Sequence, residues 1–495
     1  MKEELENQEL DKFSPDEIIA INSIHKRAKE IFKFMENALF EREELTRLLI
    51  LAIFTKEHIF MYGPPGTAKT NIADTLYLLT KGTSFTKLMT DFTNYDDIFG
   101  KEIKHPNGMT ERVLKGKLPT AEFAFLDEIF KAGPEILNSL LTVLNERLFD
   151  DDYNGRIKVP LRTALAASNE FPRTSYLKAL FERFVFRITV PNIKDISNRI
   201  RLFNGDFKKI QDLPTFTNEE VDFIQDNFKK RNIRFNDEVA QKLSNLIDTL
   251  HQLLNPDSSD KKKNKIESYY EISGRTMNKM GSIMRLSAYL NKRTEVDLSD
   301  LLLTRYIVWN NTFQREAILP KINNELFGGQ EELHGDTSRQ LEEIGSFVLR
   351  FIRNIRVVFK GIEKHKTEND FIYFKDEIEI FLKQFVDAKK GISKIYSTLL
   401  ECKAKEDIVK KNIFLHYENI LDWKVDESLI KVESQKFNEL TSLINEYGDI
   451  KQKEKYSFKK LLERTFKLHQ DICEEIEKWL YDNETFFDYK DNLGV

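Results

Sequence analysis

Cysteine, excess positive charge and long apolar runs are all scarce in this 495-residue chain. Because only Cys402 and Cys473 occur, the sequence excludes a disulfide framework and a four-thiolate zinc site. Isolated cysteines suit a reducing compartment, so we expect a cytoplasmic protein. No apolar run reaches the roughly 18 residues of a membrane span, and the first residues lack the apolar core of a signal peptide. We therefore expect neither feature.

The charge balance is slightly acidic, with 76 Lys and Arg against 81 Asp and Glu and a net charge of -5. A nucleic-acid contact would therefore need a local basic patch, which disfavours a motor acting on DNA or RNA. Hydrophobic residues make up 41% of the chain, enough to fill several cores. The length suggests about three domains.

The N-terminal part combines helix signals with short apolar runs. Ser14 precedes Pro15 and lies three residues before Glu17, a spacing that predicts a capped helix start. A second predicted helix, Phe40 to Lys56, leads into the apolar run His58 to Gly63. Two more such runs follow, from Phe123 to Leu126 and from Leu161 to Ser168. This alternation predicts an α/β core with a mostly parallel sheet flanked by helices.

Helical periodicity replaces the strand signals from about residue 193. A polar segment, Asn255 to Lys265, interrupts it with a lysine run that is either a solvated linker or a contact for a partner or nucleic acid. Beyond residue 330, apolar residues recur at spacings of three and four, from Leu341 to Ile362 and from Ile378 to Leu399. Such seams predict long antiparallel helices.

The predicted organisation is therefore an α/β core with N-terminal helices at 1–192, an all-α lid at 193–330 and a C-terminal helical bundle or arm at 331–495. The arm has room for a small insert near 410–434. Because its seams close on themselves, we expect truncation near residue 330 to leave a folded, nucleotide-binding core.

The strongest chemical motif follows the first apolar run and precedes a helix. It is a P-loop, whose backbone N–H groups and helix N-terminus bind phosphates. Lys69 would place its charge on the phosphate oxygens, and the Thr70 hydroxyl would bind Mg²⁺. Ala68 replaces the glycine usual before this lysine, and its methyl group is tolerable if the local backbone is helical. The predicted ATP-binding residues are Gly63, Pro64, Pro65, Gly66, Thr67, Ala68, Lys69 and Thr70.

Two acids and an amide follow the next predicted strands. Asp127 and Glu128 end the run Phe123 to Leu126, and Asn169 ends the next run. Because carboxyl ends of parallel strands share the ligand-binding edge of a sheet, Asp127 would hold Mg²⁺ and Glu128 would deprotonate the attacking water. Asn169 would be a polar sensor that hydrogen-bonds the γ-phosphate or its water. The alternatives are a solvent-facing acid pair and an ordinary turn asparagine.

These motifs, with the segments AASNEFP and LFERFVFRI, resemble AAA+ ATPases of the MoxR family over about Phe40 to Trp309. The likeness is greatest to its regulatory ATPase variant A (RavA) subgroup, which also tolerates alanine before the P-loop lysine. RavA-like proteins carry a small β-rich module in the C-terminal region. Here Ile420 to Ser434 is its only candidate.

The resemblance implies further roles. Arg183 matches the arginine finger that reaches the nucleotide of a neighbouring subunit, with a surface ion pair as the plain alternative and Arg187 as the next candidate. Arg275 matches sensor 2 at the start of a lid helix, where lid motion would carry it toward or away from the nucleotide. Segment Asp91 to Pro119 matches an insert that lines the ring pore, and its lysines and arginine either contact a partner or are solvated.

The implied protein is an Mg-ATP-hydrolysing ring, expected to be hexameric, that remodels or regulates protein partners in a chaperone-like way. Family members typically act with a von Willebrand factor A (VWA) domain protein. Two other hypotheses remain open at this stage: a nucleotide-gated oligomeric scaffold or sensor in stress or antiviral defence, and, less favoured, a nucleic-acid motor.

Overall fold

The computed structural model describes residues 13–105, 110–172, 174–210, 213–255, 271–327 and 404–416. The chain forms two compact units, of which the first holds Met1–Gln330 together with Glu406–Asp422. The sheet, the lid and the candidate site all belong to this first unit. The heptad seams, the Ile420 to Ser434 candidate and most of the lysine-run segment lie outside the described residues.

Helices account for most of the described residues. They are α1 (Pro15–Met35), α2 (Glu43–Thr55), α3 (Lys69–Thr80), α4 (Tyr95–Phe99), α5 (Pro134–Glu146), α6 (Ser175–Phe181), α7 (Ile196–Asn204), α8 (Asn218–Lys230), α9 (Asp237–Leu254), α10 (Gly274–Leu290), α11 (Leu298–Leu301), α12 (Thr312–Phe327) and α13 (404–411). The capping box predicted at Ser14 and Glu17 is present at the start of α1. No described helix combines the length and apolar character that crossing a membrane requires.

The strands are β1 (Ile59–Tyr62), β2 (Ser84–Leu88), β3 (Lys101–Lys104), β4 (Thr110–Val113), β5 (Phe123–Asp127), β6 (Leu148–Asp151), β7 (Gly155–Lys158), β8 (Thr163–Ser168), β9 (Phe186–Thr189), β10 (Arg234–Phe235) and β11 (Glu295–Val296). Five of them form the central sheet in the order β2-β5-β8-β1-β9, and every neighbouring pair is parallel. The three sequence-predicted strands are confirmed as β1, β5 and β8.

Burial explains why three strands of the central sheet could be predicted from the sequence. All six residues of β8 are buried, and so are the first four residues of β5, because helices cover both faces of the sheet. Helix α5 has Gly133 as its N-cap and begins at Pro134. Its apolar face, including Leu140, packs toward this core. The outer strand β2 was not predicted, since it alternates buried and exposed residues.

Two antiparallel hairpins lie between strands of the central sheet in chain order. Strands β3 and β4 form one hairpin inside the predicted pore insert, and β6 and β7 form the other. Arg112 on β4 is buried and contacts Asp151 of the second hairpin at 3.2 Å and Glu102 at 2.7 Å. The expectation that this arginine contacts a partner or is solvated is therefore wrong, because its guanidinium joins the two hairpins.

The lid is helical, as predicted, and contains only the two-residue pairing of β10 with β11 as strand among its described residues. Its sequence-predicted apolar stripe on α10 is buried, from Met280 through Leu286. Helix α9 packs along α12 in the same region.

A segment from the C-terminal third, residues 406–416, is part of the first unit and is called the return segment here. Asn412 is buried and donates to Ser287, Ser299 and Asp300 at 3.1 to 3.2 Å. Arg47 on α2 donates to the carbonyl of Ile413 at 2.9 Å. Because Val409, Phe414 and Leu415 are also buried, the core and lid include residues that a truncation near 330 would remove.

Candidate functional site

The P-loop lies where predicted, between the end of β1 and the start of α3. Gly63 donates its N–H to the Ser168 carbonyl at 3.2 Å, so the loop begins within the sheet. A Cβ at Gly63 would lie 2.3 Å from the Val190 carbonyl oxygen, so only glycine fits there. Gly66 has φ +81°, a conformation that glycine adopts readily. The loop can therefore bring its backbone close to a phosphate chain.

Lys69 is buried beneath this loop. Its ammonium donates to the carbonyls of Gly63 at 2.7 Å and Pro64 at 3.0 Å. Burial lowers the pKa of Lys69, while the carboxylates of Asp127 and Glu128 oppose that shift. The first turn of α3 has no side-chain cap, which leaves its backbone N–H groups to a ligand. Lys69 can thus exchange two loop carbonyls for phosphate oxygens, which are stronger acceptors.

Ala68 differs from the expectation. Its φ of 64° and ψ of 27° are left-handed, not those of an ordinary helical residue. A left-handed conformation costs an L-residue roughly 1 to 2 kcal/mol, and glycine escapes this cost. The methyl group is therefore accommodated under strain, at the residue that directly precedes Lys69.

The acid pair stands at the carboxyl edge of the sheet. Asp127 ends β5 and accepts the N–H of Glu128 at 3.0 Å. Glu128 has φ 53°, its Oε2 is buried without a hydrogen bond, and the nearest cation, Lys131, is 3.7 Å away. A buried carboxylate oxygen without a hydrogen bond is suited to accept a proton from water.

The residues predicted for Mg²⁺, Thr70 and Asp127, fit an ion held mainly by water and phosphate. Among the described residues, no cluster of three or more His, Cys, Asp or Glu side chains could hold a metal alone. Mg²⁺ commonly keeps several waters and takes one or two protein ligands plus substrate phosphates. Thr70 is exposed next to the buried Lys69, so its hydroxyl is accessible to such an ion.

Asn169 follows β8, the strand between the acid pair and the P-loop. Strand β8 pairs with β5 on one side and with β1 on the other, and Ser168 is level with Tyr62. Asn169 is exposed. The structure therefore brings the P-loop, the acid pair and Asn169 to one edge of the sheet.

Arg183 and Arg275 lie at the opposite edge. Arg183 precedes β9, whose Phe186 donates its N–H to the carbonyl of His58, before the start of β1. Lys279, one turn after Arg275 on α10, pairs with Glu57 at 2.8 Å. Since a strand rises about 3.3 Å per residue, His58 and Gly63 are roughly 17 Å apart. Neither arginine is next to its own P-loop.

The two arginines are neighbours of each other. Burial is the main cause that lowers the pKa of Arg183, and the positive charge of Arg275 adds to it. Arg183 Nε is buried without a hydrogen-bond partner. The Glu182 carboxylate opposes this pKa shift only in part. Two guanidinium groups close to each other form a site that favours a phosphate. Arg275 is at the start of a lid helix, as expected, and that helix packs near Glu57 at the amino edge of the sheet.

Arg187 has a different environment. It lies on β9, is buried, and donates to the Trp309 carbonyl and to Asn310 Oδ1, both at 2.7 Å. Its guanidinium also stacks over the Phe181 ring at 4.3 Å. These contacts join the sheet to the lid, so Arg187 is a structural residue and not a second candidate for the arginine finger.

A cleft of about 520 Å³ lies beside the P-loop and was not predicted from the sequence. Arg42, Gly63, Pro64, Val190 and Arg315 are among its lining residues. Arg42 is buried and donates to the carbonyl of Pro191 at 2.6 Å. The only sequence signal for this cleft was the predicted helix directly before β1, which supplies one wall. The opposite wall comes from residues more than a hundred positions away in the chain. The cleft continues the phosphate loop, and its volume lies in the range of about 300 to 1,000 Å³ that is typical of small-molecule sites.

Comparison with known proteins gives matches over the same regions. A family model described as the MoxR domain in the MoxR-vWA-beta-propeller ternary systems matches residues 26–226, and an AAA lid domain model matches residues 242–322. Two uncharacterised proteins of Methanocaldococcus jannaschii are 33% identical over 297 residues and 32% identical over 347 residues. These matches cover 59% and 68% of this chain, and 72% and 86% of the relatives. Chaperone MoxR1 of Mycobacterium tuberculosis is 27% identical over 124 residues, covering 25% of this chain and 32% of its own length.

Proposed function

Because the chain belongs to the MoxR family of AAA+ ATPases, we propose that it hydrolyses ATP at sites shared between neighbouring copies of itself. The observation that carries this proposal is the position of the charged groups on the sheet. The P-loop, Glu128 and Asn169 occupy one edge, while Arg183 and Arg275 occupy the other. One copy therefore has the two halves of a catalytic site without joining them.

On the nucleotide side, the base and ribose would occupy the cleft beside Pro64, and the phosphates would follow the loop. Lys69 would leave its loop carbonyls for the β and γ phosphates. Mg²⁺, when bound through Thr70 and Asp127, would neutralise charge on the same phosphates. Glu128 would accept a proton from the water that attacks the γ-phosphorus, and Asn169 would orient that water. The products are ADP and phosphate.

On the other side, Arg183 of the next copy would donate to the γ-phosphate as its charge rises in the transition state. Arg275 is proposed to act beside Arg183, also on the neighbour's nucleotide, because the two lie together. This proposal specifies the earlier expectation, in which lid motion carries Arg275 toward or away from the nucleotide. Head-to-tail contacts of this kind close into a ring, and we propose a hexamer.

The biological role belongs to the same proposal. The matching MoxR model is described from systems that contain a vWA protein, so we propose a VWA-domain partner and chaperone-like remodelling of a protein client. A position near the RavA subgroup, suggested by Ala68, and a cytoplasmic setting are proposed with it. The net charge of -5 disfavours the nucleic-acid hypothesis.

The test compares Glu128→Gln with the wild type in phosphate release and in binding of a fluorescent ATP analogue. We expect the variant to bind ATP normally but to lose about 10² to 10⁴-fold in turnover, because the amide cannot accept a proton. Glu135→Gln, which makes the same charge change on the exposed start of α5, should turn over normally. Wild-type turnover by Glu128→Gln would reject Glu128 as the base.

A further inference from the structure

Helix α7 is amphipathic, but its apolar side faces outward. Ile196, Ile200 and Phe203 recur at spacings of four and three, which places them on one face of the helix. They are 66%, 51% and 83% exposed, and no residue of α7 is buried. We call these three residues the outward stripe. Leu202 and Phe207 extend the exposed apolar surface next to it.

The polar side of α7 holds the helix in place. Glu41 accepts the backbone N–H groups of Lys194 and Asp195 at 2.9 to 3.1 Å, just before the helix starts. Arg201 donates to Asn37 Oδ1 at 3.0 Å and stacks over the Phe40 ring at 4.4 Å. These contacts fix the direction in which the outward stripe points.

This orientation is unusual for a short helix in water. A helix of nine residues gains little stability by itself and is normally stabilised by burial of its apolar face. Here the polar anchors replace that burial. A contiguous apolar surface of this kind, rimmed by charged residues, is typical of an interaction site.

The position of α7 identifies the partner. Glu41 and Lys194, which hold the start of α7, also line the nucleotide cleft. Any surface that brings Arg183 and Arg275 of another copy to this nucleotide must therefore pass close to α7. We propose that the outward stripe is covered by a second copy of this chain, through the face that carries Arg183 and Arg275. This inference rests on the proposed function.

The proposed covering face has suitable side chains. Tyr176 on α6 and Met277 on α10 are exposed, and they lie seven residues before Arg183 and two residues after Arg275. An aromatic ring and a flexible thioether are common at protein interfaces. The contact would be head to tail, since the stripe and this face are different surfaces of one copy.

The experiment measures assembly by sedimentation velocity over a range of concentrations in saturating Mg-ATP, with Glu128→Gln present in every chain to prevent turnover. Phe203→Glu should raise the midpoint concentration for assembly by about 10-fold or more, because one large apolar contact is replaced by a buried charge. Ile200→Glu should act in the same direction. ATP binding by dilute monomers should not change, since neither side chain lines the cleft.

Ile19→Glu on α1 is the matched control, because Ile19 is 67% exposed and lies on another helix. Assembly of Phe203→Glu at the control's midpoint would overturn the stripe assignment alone. No ATP-dependent assembly of the Glu128→Gln parent would overturn both this inference and the proposed ring. Sedimentation of the wild type with phosphatidylserine vesicles that Phe203→Glu abolishes would assign the stripe to a membrane surface and also overturn the inference.

Discussion

The two edges of the parallel sheet differ in what they can do with a phosphate. The carboxyl edge offers Lys69, which is already buried under a phosphate loop, and Glu128, whose Oε2 lacks a hydrogen bond. The amino edge offers Arg183 and Arg275, two cations next to each other without a phosphate loop. Under the proposed function, the carboxyl edge would bind and activate the nucleotide, and the amino edge would stabilise charge on it. Their separation would then make turnover depend on contact between two copies.

Among the changes that test the difference between the two edges, loss of Arg183 should have the largest effect. We expect Arg183→Ala to lower ATP turnover by about 10³-fold or more, the range seen for arginine fingers. Arg275→Ala should act in the same direction with a smaller loss. Neither variant should weaken ATP binding by dilute monomers, because both residues lie at the amino edge.

Turnover by phosphate release and monomer affinity by analogue fluorescence check this prediction. Arg234→Ala, an exposed arginine of the lid, serves as the control and should behave as the wild type. A clear loss of monomer affinity in Arg183→Ala or Arg275→Ala would instead place that residue in its own subunit's pocket.

Changes in the return segment should have the next-largest effect, because this segment stabilises the lid. Asn412→Ala leaves Asp300, which is fully buried, without one of its donors and should lower the free energy of unfolding by about 1 to 3 kcal/mol. Asn412→Asp should cost more, since a second carboxylate would face Asp300. Urea denaturation measures both. Equal stability of all three proteins would show that the return segment does not contribute to the core and lid.

Low pH should destabilise the fold at the amino edge through His58. This ring is fully buried, accepts the Ala164 N–H through Nδ1 and therefore donates from Nε2 to the Leu144 carbonyl. Burial holds the pKa of His58 well below its usual value, and Arg147 lowers it further. The unfolded chain thus binds a proton that the folded chain excludes, so stability is complete above about pH 6.5 and falls below it.

The expected slope from this one group is at most about 1.4 kcal/mol per pH unit below pH 6.5. Urea midpoints at pH 7.5 and 5.5 measure it in the wild type and in His58→Gln. The glutamine variant should show a smaller difference between the two pH values, whatever its absolute stability. An identical difference would mean that other groups cause the acid sensitivity.

The smallest effect is expected at Ala68 on the carboxyl edge. Ala68→Gly should relieve the left-handed strain and raise the free energy of unfolding by about 1 kcal/mol or less, since glycine also loses more backbone entropy on folding. Thermal denaturation without nucleotide measures it. A destabilised variant would show that the methyl group makes compensating contacts.

Local sequence was enough to predict the carboxyl edge. The P-loop, Asp127, Glu128 and Asn169 each follow a buried strand directly, and parallel strands bring their ends together. The amino edge was not predictable in the same way. A motif can identify the helix that carries Arg275, but its place depends on packing between α10 and residues near Glu57, more than two hundred positions away.

Other differences have equally physical causes. The Ala68 backbone is set by the loop that it ends, which a residue type alone does not reveal. The return segment is joined to Ser287 across 125 residues through one asparagine, so its heptad-free sequence gave no signal of docking. Arg112 looked like a surface cation because one of its partners, Asp151, lies on a separate hairpin. The division of the chain into predicted domains stays a prediction.

The central claim is that the two edges of different copies form one active site, and mixed rings test it most directly. Arg183→Ala chains keep Glu128, and Glu128→Gln chains keep Arg183, so each homogeneous ring lacks one group at every interface. In verified mixed rings, some interfaces combine an intact Glu128 with an intact Arg183 from the neighbour. We predict turnover well above that of either parent, because a restored arginine finger is worth about 10³-fold or more. Turnover no higher than the parents' would contradict the shared site.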